Sequence, residues 1–424
     1  MSIVMLIIVV ILLPFILGLF TRDIDPINDS DLNLQVISIP DKDNAYFDLI
    51  KIKDVLYKPK GKEKEIKDMI EGRMWDEKLA EEIISNNQKA FEYFSEASRK
   101  PKFQNPTLSN PENINPSMVF PSLSLWRTMS GYSLIKVLYL SKQGKENEAI
   151  YEALSSVYIG QKIQESQTVL IEYLVAMFLK ERGLEAVQNI FASSNLDSDE
   201  LKRYAQSLDQ FYKNEDGFIS IIKGEYYYQY SIIDALVNGN TEILQTHTGE
   251  QSWDISQKLK NNYYFMPNKT KALFAGYARK NIENANKFCN NIQNVDIQMQ
   301  VPSSYLKVYF SENLIGKVFH DITALSLTSA NAKKCNEDSL VSATQALIAI
   351  KAYKNDNGDY PNSLEQLVPD YLSSVPLDYF DGNLLRYSKE NKILYSIGKD
   401  LKDDGGSTGD NWKKMTDPTF KINF

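Results

Sequence analysis

The chain has 424 residues, 43% hydrophobic and 24% charged, which excludes an intrinsically disordered polymer and leaves length for roughly two to four domains. Its formal net charge is −8, from 47 Lys+Arg against 55 Asp+Glu, and no basic stripe stands out, so a nucleic-acid partner has no electrostatic footing.

Ile3 to Phe20 is an unbroken apolar run, "IVMLIIVVILLPFILGLF", just long enough to span a hydrocarbon core as a helix. A cleaved signal peptide would carry a basic n-region and a small-x-small site before Thr21; both are missing, so an uncleaved lipid-embedded anchor over 1–21 is expected. The flanking charges, Arg22 against Asp23 and Asp25, give almost no vote on orientation. Residues 22–44 are polar and rich in Asp, Asn and Pro, and read as a tether.

Region 45–122 holds one clear helix near Asp76 to Ser98, with Leu79, Ile83, Ile84, Phe91 and Phe94 at helical spacing. Prolines at 101, 106, 111, 116 and 121 then forbid a regular helix, leaving an ordered wrap or a linker. Region 123–336 is helical almost throughout. Helices are expected over Trp126–Ser141, Glu148–Ile163 and Thr168–Glu181, the last with Gly183 near its end. Asp197 and Glu200 form a capping-box pair that opens a helix over Ser198–Tyr212. The first two helices look like one tetratricopeptide-type hairpin, but no 34-residue repeat follows, so the region is a helical array.

Catalytic signatures are missing. His247 and His320 lie in no metal spacing, and there is no GxSxG, Walker A or GxGxxG. Paired acids such as Glu81 and Glu82 suit glycosidase chemistry in residue type only. A non-catalytic interaction protein with an unknown protein partner is therefore expected, an envelope hydrolase acting through carboxylates being the alternative. Cys289 and Cys335 would close a long loop if oxidised together, worth about 4 kcal/mol; two separate buried thiols are the other reading.

From Asp338 to about Lys354 one amphipathic helix carries Leu340, Ala343, Leu347 and Ile350 on a narrow stripe that needs a small sheet to cover it. Ser363 and Gln366 start a short helix, and Leu384–Ser388 and Ile393–Ile397 read as a hairpin joined by "KENK". A loop dense in Asp and Gly, "SIGKDLKDDGGSTGDNW", closes the region.

The stretch "ALIAIKAYKNDNGDYPNSLEQLV", the turn at Pro376, Asp378, Gly382 and Asn383, and the closing "YSIGKD…GG…GDNW" together resemble the periplasmic part of the major pseudopilin of type II secretion systems. The resemblance covers about a fifth of the chain. It implies a bacterial inner-membrane, single-pass protein with its bulk extracytoplasmic, linked to secretion or envelope assembly. It also implies calcium in the final loop, held by the carbonyl of Ile397 and by Asp400 and Asp410, with Asp403, Asp404 or Ser407 as further oxygens. The chain departs from the family at Leu401, where Gly is usual, and in the single acid, Asp410, before Asn411. It also lacks the Gly-Phe cleavage point and fifth-position Glu of pilins, so processing and polymerisation as a pilin are not expected. The fold class expected is mainly α: an N-terminal transmembrane helix, an α-helical array, and a small α+β pseudopilin-like domain over 337–424.

Overall fold

The computed structural model describes residues 12–13, 16–116, 118, 120–212, 215–240, 261–285, 289, 300, 304, 307–308, 310–407 and 412–424. The protein is mainly helical with one small sheet. No described helix is long and apolar enough to cross a membrane, and most of the apolar run at 3–20 lies outside the described residues.

The first helices are Tyr46–Lys51 (α1), Glu63–Ile70 (α2), Glu77–Asn86 (α3) and Gln88–Arg99 (α4). The single helix expected over 76–98 is thus two. Asn87, fully buried, breaks it: its Oδ1 accepts from Tyr57 N at 2.8 Å while its Nδ2 donates to Ile83 O at 2.9 Å. An asparagine side chain that satisfies backbone groups of an earlier loop competes with helix continuation. Asp76 caps α3 by accepting from Leu79 N at 3.1 Å.

The proline-rich stretch is the ordered wrap. Phe103, Leu108 and Ile114 are buried, and Gln104 exchanges hydrogen bonds with the backbone of Gln167, Nε2 to the carbonyl at 2.8 Å and Oε1 from the amide at 3.1 Å. Beside it, Asn105 Nδ2 donates to Glu172 Oε1 at 3.1 Å and Thr168 Oγ1 to Oε2 at 2.5 Å. Burial pushes the Glu172 carboxyl up to about 7, the two donors pulling the other way. The fold therefore holds a proton that the unfolded chain releases near pH 4.5. Stability from this group is full below that pH and declines as pH rises to about 7. Glu172→Gln is expected to match the parent protein at pH 4.5 and exceed it by up to about 3 kcal/mol at pH 8, read from denaturant melts at both pH values.

The array consists of Pro121–Lys142 (α5), Glu146–Gln164 (α6), Leu170–Ser193 (α7) and Ser198–Ser207 (α8), followed by Glu215–Val237 (α9) and Pro267–Asn284 (α10). Gly183 does not end its helix. It lies inside α7 at the crossing with α6, where a Cβ would stand 2.7 Å from Ala153 O and 2.5 Å from Val157 Cγ2; Gly160 meets Ala176 O in the same way. Glycine serves here for close approach, and α7 runs on to Ser193. The capping box forms as read, Asp197 accepting from Glu200 N at 2.8 Å and Glu200 Oε2 from Asp197 N at 3.3 Å. The helix it opens turns 3-10 after Ser207.

The helix expected to begin at Asp338 begins 24 residues earlier. Leu314–Asn357 (α11) is one element of 44 residues, about 66 Å long at 1.5 Å rise per residue. Its first half packs on α9 and α10 through Leu327 and Ala330; its second half packs on α7 and α8 through Leu340, Ala343 and Leu347. The boundary expected at 336/337 therefore falls inside a continuous helix. Leu364, Leu367, Leu385, Leu394 and Phe420 of the terminal module lie in the same core as Ile150, Val187 and Leu201 of the array. Three strands, Arg386–Ser388 (β1), Ile393–Tyr395 (β2) and Thr419–Lys421 (β3), form an antiparallel sheet in the order β1-β2-β3. The expected hairpin is present with shorter strands; β3 was not foreseen.

Residues 23–33 do not behave as a loose tether. Asp23 caps α10, its Oδ2 accepting from Asn268 N at 2.6 Å and its Oδ1 from Lys269 N at 3.0 Å. Tyr226 Oη donates to Asp29 at 2.5 Å, Arg279 pairs with Asp31 at 2.7 Å, and Leu32 is buried in the α9–α10 core.

Candidate functional site

The terminal loop is anchored at its base by Asp378, which is fully buried. Its Oδ1 accepts from Phe380 N at 3.0 Å and Ser396 Oγ at 2.8 Å; its Oδ2 accepts from Ile397 N at 2.9 Å and Arg386 Nη1 at 2.6 Å. Arg386 reaches Asp381 with the same fork, Nη2 to Oδ2 at 2.5 Å. The turn and the sheet are thereby joined at the residue from which the loop departs.

Cys289 and Cys335 meet here as a disulfide, with Cα atoms 6.1 Å apart. Both pack against Phe380 and Ile397, and Cys289 N donates to Tyr379 O at 3.0 Å. The bond closes a loop across 46 positions, for which chain entropy gives about 4 kcal/mol.

Of the residues implied as calcium ligands, those described differ in burial and hydrogen bonding. Asp400 and Asp403 are exposed and accept from their own loop, from Lys402 N at 3.2 Å and Gly405 N at 3.0 Å. Asp404 is exposed, and Ile397 is buried. Asp410 lies outside the described residues. Among the described residues no three His, Cys, Asp or Glu side chains gather as a metal group.

The loop closes instead around Asp417, which sequence reasoning passed over because it lies beyond the Asp-Gly run. Asp417 is fully buried. Its Oδ2 accepts from Asp404 N at 2.9 Å and Gly406 N at 3.0 Å, while its Oδ1, also buried, has no hydrogen-bond partner. Ser407 Oγ lies 2.8 Å from Thr416 Oγ1 and accepts from Asp417 N at 2.9 Å. A buried carboxylate oxygen left without a donor, with two hydroxyls alongside, is the environment a hard cation satisfies. Among the acids of this loop that are described, it is Asp417, and not Asp400 or Asp403, that carries a buried oxygen without a hydrogen-bond partner.

Two backbone positions shape the loop. A side chain on Gly398 would collide with the Thr416 carbonyl. Leu401 adopts φ +59° and is exposed. A left-handed leucine costs about 1–2 kcal/mol, and glycine's extra unfolded freedom offsets roughly half of that. Leu401→Gly is accordingly expected to raise stability by about 0.5–1 kcal/mol in a thermal melt.

A second surface lies between α4 and the α5–α6 hairpin, a groove of about 810 Å³. Arg99 Nε donates to Tyr151 Oη at 2.7 Å, with Ser95 Oγ at 3.2 Å from the same oxygen. Burial pushes the Tyr151 phenol up, but the Ser95 and Arg99 contacts outweigh it and hold it below its ordinary value. Of the four glutamates lining the groove, Glu152 accepts from Lys136 at 2.7 Å and Ser133 at 2.8 Å, and Glu92 from Lys89 at 2.6 Å.

Compared with known proteins, the chain matches no family model, no curated protein and no solved structure.

Proposed function

We propose that the protein is a non-catalytic scaffold, anchored in a bacterial cytoplasmic membrane by residues 3–20, that presents a helical body and a pseudopilin-like module outside the cytoplasm for secretion or envelope assembly. The observation that carries the reading is the continuity of α11 from the array into the module, with one core shared by both. An arrangement of this kind holds two surfaces at a fixed separation, which suits presentation to a partner. The groove beside Tyr151 and Arg99 is the partner-facing surface, and its bound partner is a protein segment.

Two experiments test this. A reporter enzyme fused after Phe424 is active only outside the cytoplasm; activity on the cytoplasmic side alone sinks the topology. A photo-crosslinking residue at Ser95 gives one discrete protein adduct in cells, lost on Arg99→Glu; an adduct pattern indifferent to Arg99 removes the groove from the reading.

Calcium is the ion of the terminal loop, with Asp417, Ser407 and Thr416 among the residues that hold it. Bound there, it supplies loop closure and no chemistry. Calorimetric titration with calcium chloride is expected to show binding and a raised melting temperature, both abolished by Asp417→Asn. A flat titration with an unchanged melt disposes of the site.

A further inference from the structure

We infer that the loop Asn261–Met266, the first turn of α10 and the start of α11 form a face apposed to the bilayer surface, so that the body stands on its anchor in one orientation with the terminal module at the far end. The inference rests on the reading of residues 3–20 as an anchor.

The geometry between the apolar run and the body leaves no free hinge. Gly18 is buried although the next two residues, Leu19 and Phe20, are 81% and 79% exposed. Asn261 accounts for that: its side chain packs directly on Gly18, and any Cβ there would collide with it. The helical turn at the end of the run is closed by Thr21, whose N and Oγ1 donate to Leu17 O at 2.8 and 2.7 Å. Two residues later Asp23 caps α10, and Asn268 Nδ2 donates to Ile24 O at 2.9 Å. The strap then continues into the Asp29–Tyr226 and Asp31–Arg279 contacts. A chain fixed at Gly18, Asp23, Asp29 and Asp31 cannot swivel at residues 21–31. Wherever Phe20 leaves the hydrocarbon, Asn261 and the start of α10 lie beside it.

The chemistry of this face suits lipid headgroups. Tyr263, half-buried, donates its hydroxyl to Phe310 O at 2.6 Å, presenting a ring whose polar end is already satisfied. Lys269 pairs with Glu312 at 2.7 Å, and Lys317 Nζ lies 2.9 Å from Ser311 Oγ. Exposed Lys307 lies three residues before Phe310, whose carbonyl Tyr263 holds, and exposed Arg22 and Asp25 follow the apolar run, so both signs of charge are interspersed, which suits a zwitterionic headgroup layer. The start of α11 belongs to the same face: Asn313 N donates to Tyr263 O at 2.7 Å and Ile315 N to Tyr264 O at 3.0 Å. The helix then runs its 44 residues away to the module.

The test uses the full chain in phosphatidylcholine nanodiscs, with nitroxide labels on Asn262→Cys, Lys307→Cys and, as distal control, Lys389→Cys. The native cysteines stay paired. Collisional relaxation by a water-soluble nickel complex is expected to be at least threefold weaker at 262 and 307 than at 389. Asp23→Ala combined with a Gly-Ser insertion after Ile24 is expected to bring 262 towards the control. Equal nickel access at all three sites in disc-bound protein overturns the face while leaving the anchor intact. Failure of the chain to co-migrate with the discs overturns the anchor itself, and the inference with it.

Discussion

Lys180→Met is expected to destabilise the protein by about 3–5 kcal/mol, and the pair Lys180→Met/Glu337→Leu to recover most of the loss. Both residues are about 1% exposed, and Lys180 Nζ stands 2.8 Å from Glu337 Oε1. Gln164 of α6 completes the set, its Nε2 donating to Glu337 Oε2 at 2.7 Å and its Oε1 accepting from Lys180 at 3.4 Å. Burial alone would drive Glu337 to its neutral form, and its carboxyl is pushed above the ordinary range even with Lys180 opposing. Removing the ammonium leaves that carboxylate without its counter-charge in a dry site; removing both leaves a space two apolar side chains can fill. The sign and size of the double-mutant coupling, from urea melts of the four variants, decide the matter. A single-mutant loss below about 1 kcal/mol would mean that water reaches the pair. The position matters more than the energy: α6, α7 and the middle of α11 meet at these three side chains. The pair therefore joins the array to the helix that carries the module, and one melting transition is expected for both.

How far this architecture was legible in the sequence depends on the range of the interactions that make each element. The Asp197–Glu200 capping box is local, and it formed where it was read. The α5–α6 hairpin and the β1–β2 hairpin likewise depend on near neighbours, and only their ends moved. The long helix α11 was read only from Asp338 because it serves two cores. Leu327 and Ala330 face α9 and α10, whereas Leu340 and Leu347 face α7 and α8, so no single apolar stripe runs its length. The polar stretch "NAKKCNED" at the changeover, 331–338, hides the continuity, and its Glu337 reads as a surface acid until Lys180 is seen beside it. The strap was invisible for a related reason. Asp23 caps a helix that begins at Pro267, and nothing within a window around Asp23 records that partner. In the terminal loop the pseudopilin resemblance pointed to Asp400, Asp403 and Asp404, whereas the buried acid of the loop is Asp417, and sequence does not display burial.

Asp378→Ala is expected to cost about 3–5 kcal/mol, and Asp378→Asn nearly as much, although asparagine keeps the size of the side chain. The carboxylate accepts four hydrogen bonds, two on each oxygen. Asparagine turns one of those acceptors into a donor, which would face either the Ile397 amide and the Arg386 guanidinium or the Phe380 amide and the Ser396 hydroxyl. Either orientation sets donor against donor in a fully buried site, so the conservative change carries no rescue. Asp381 retains Arg386 in both variants, which separates loss of the buried acceptor from loss of the ion pair. Asp400→Asn is the control: an exposed acid of the same loop, whose replacement should change stability by less than about 0.5 kcal/mol. Because the disulfide packs on Phe380 and Ile397, both of whose amides Asp378 holds, reduction and Asp378→Ala should couple rather than add. Additive losses in that cycle would show that the cystine and the turn stabilise the module independently. A sub-additive result would make Asp378 the point through which a bond near the middle of α11 fixes the start of the terminal loop, and with it the position of the Ile397 carbonyl.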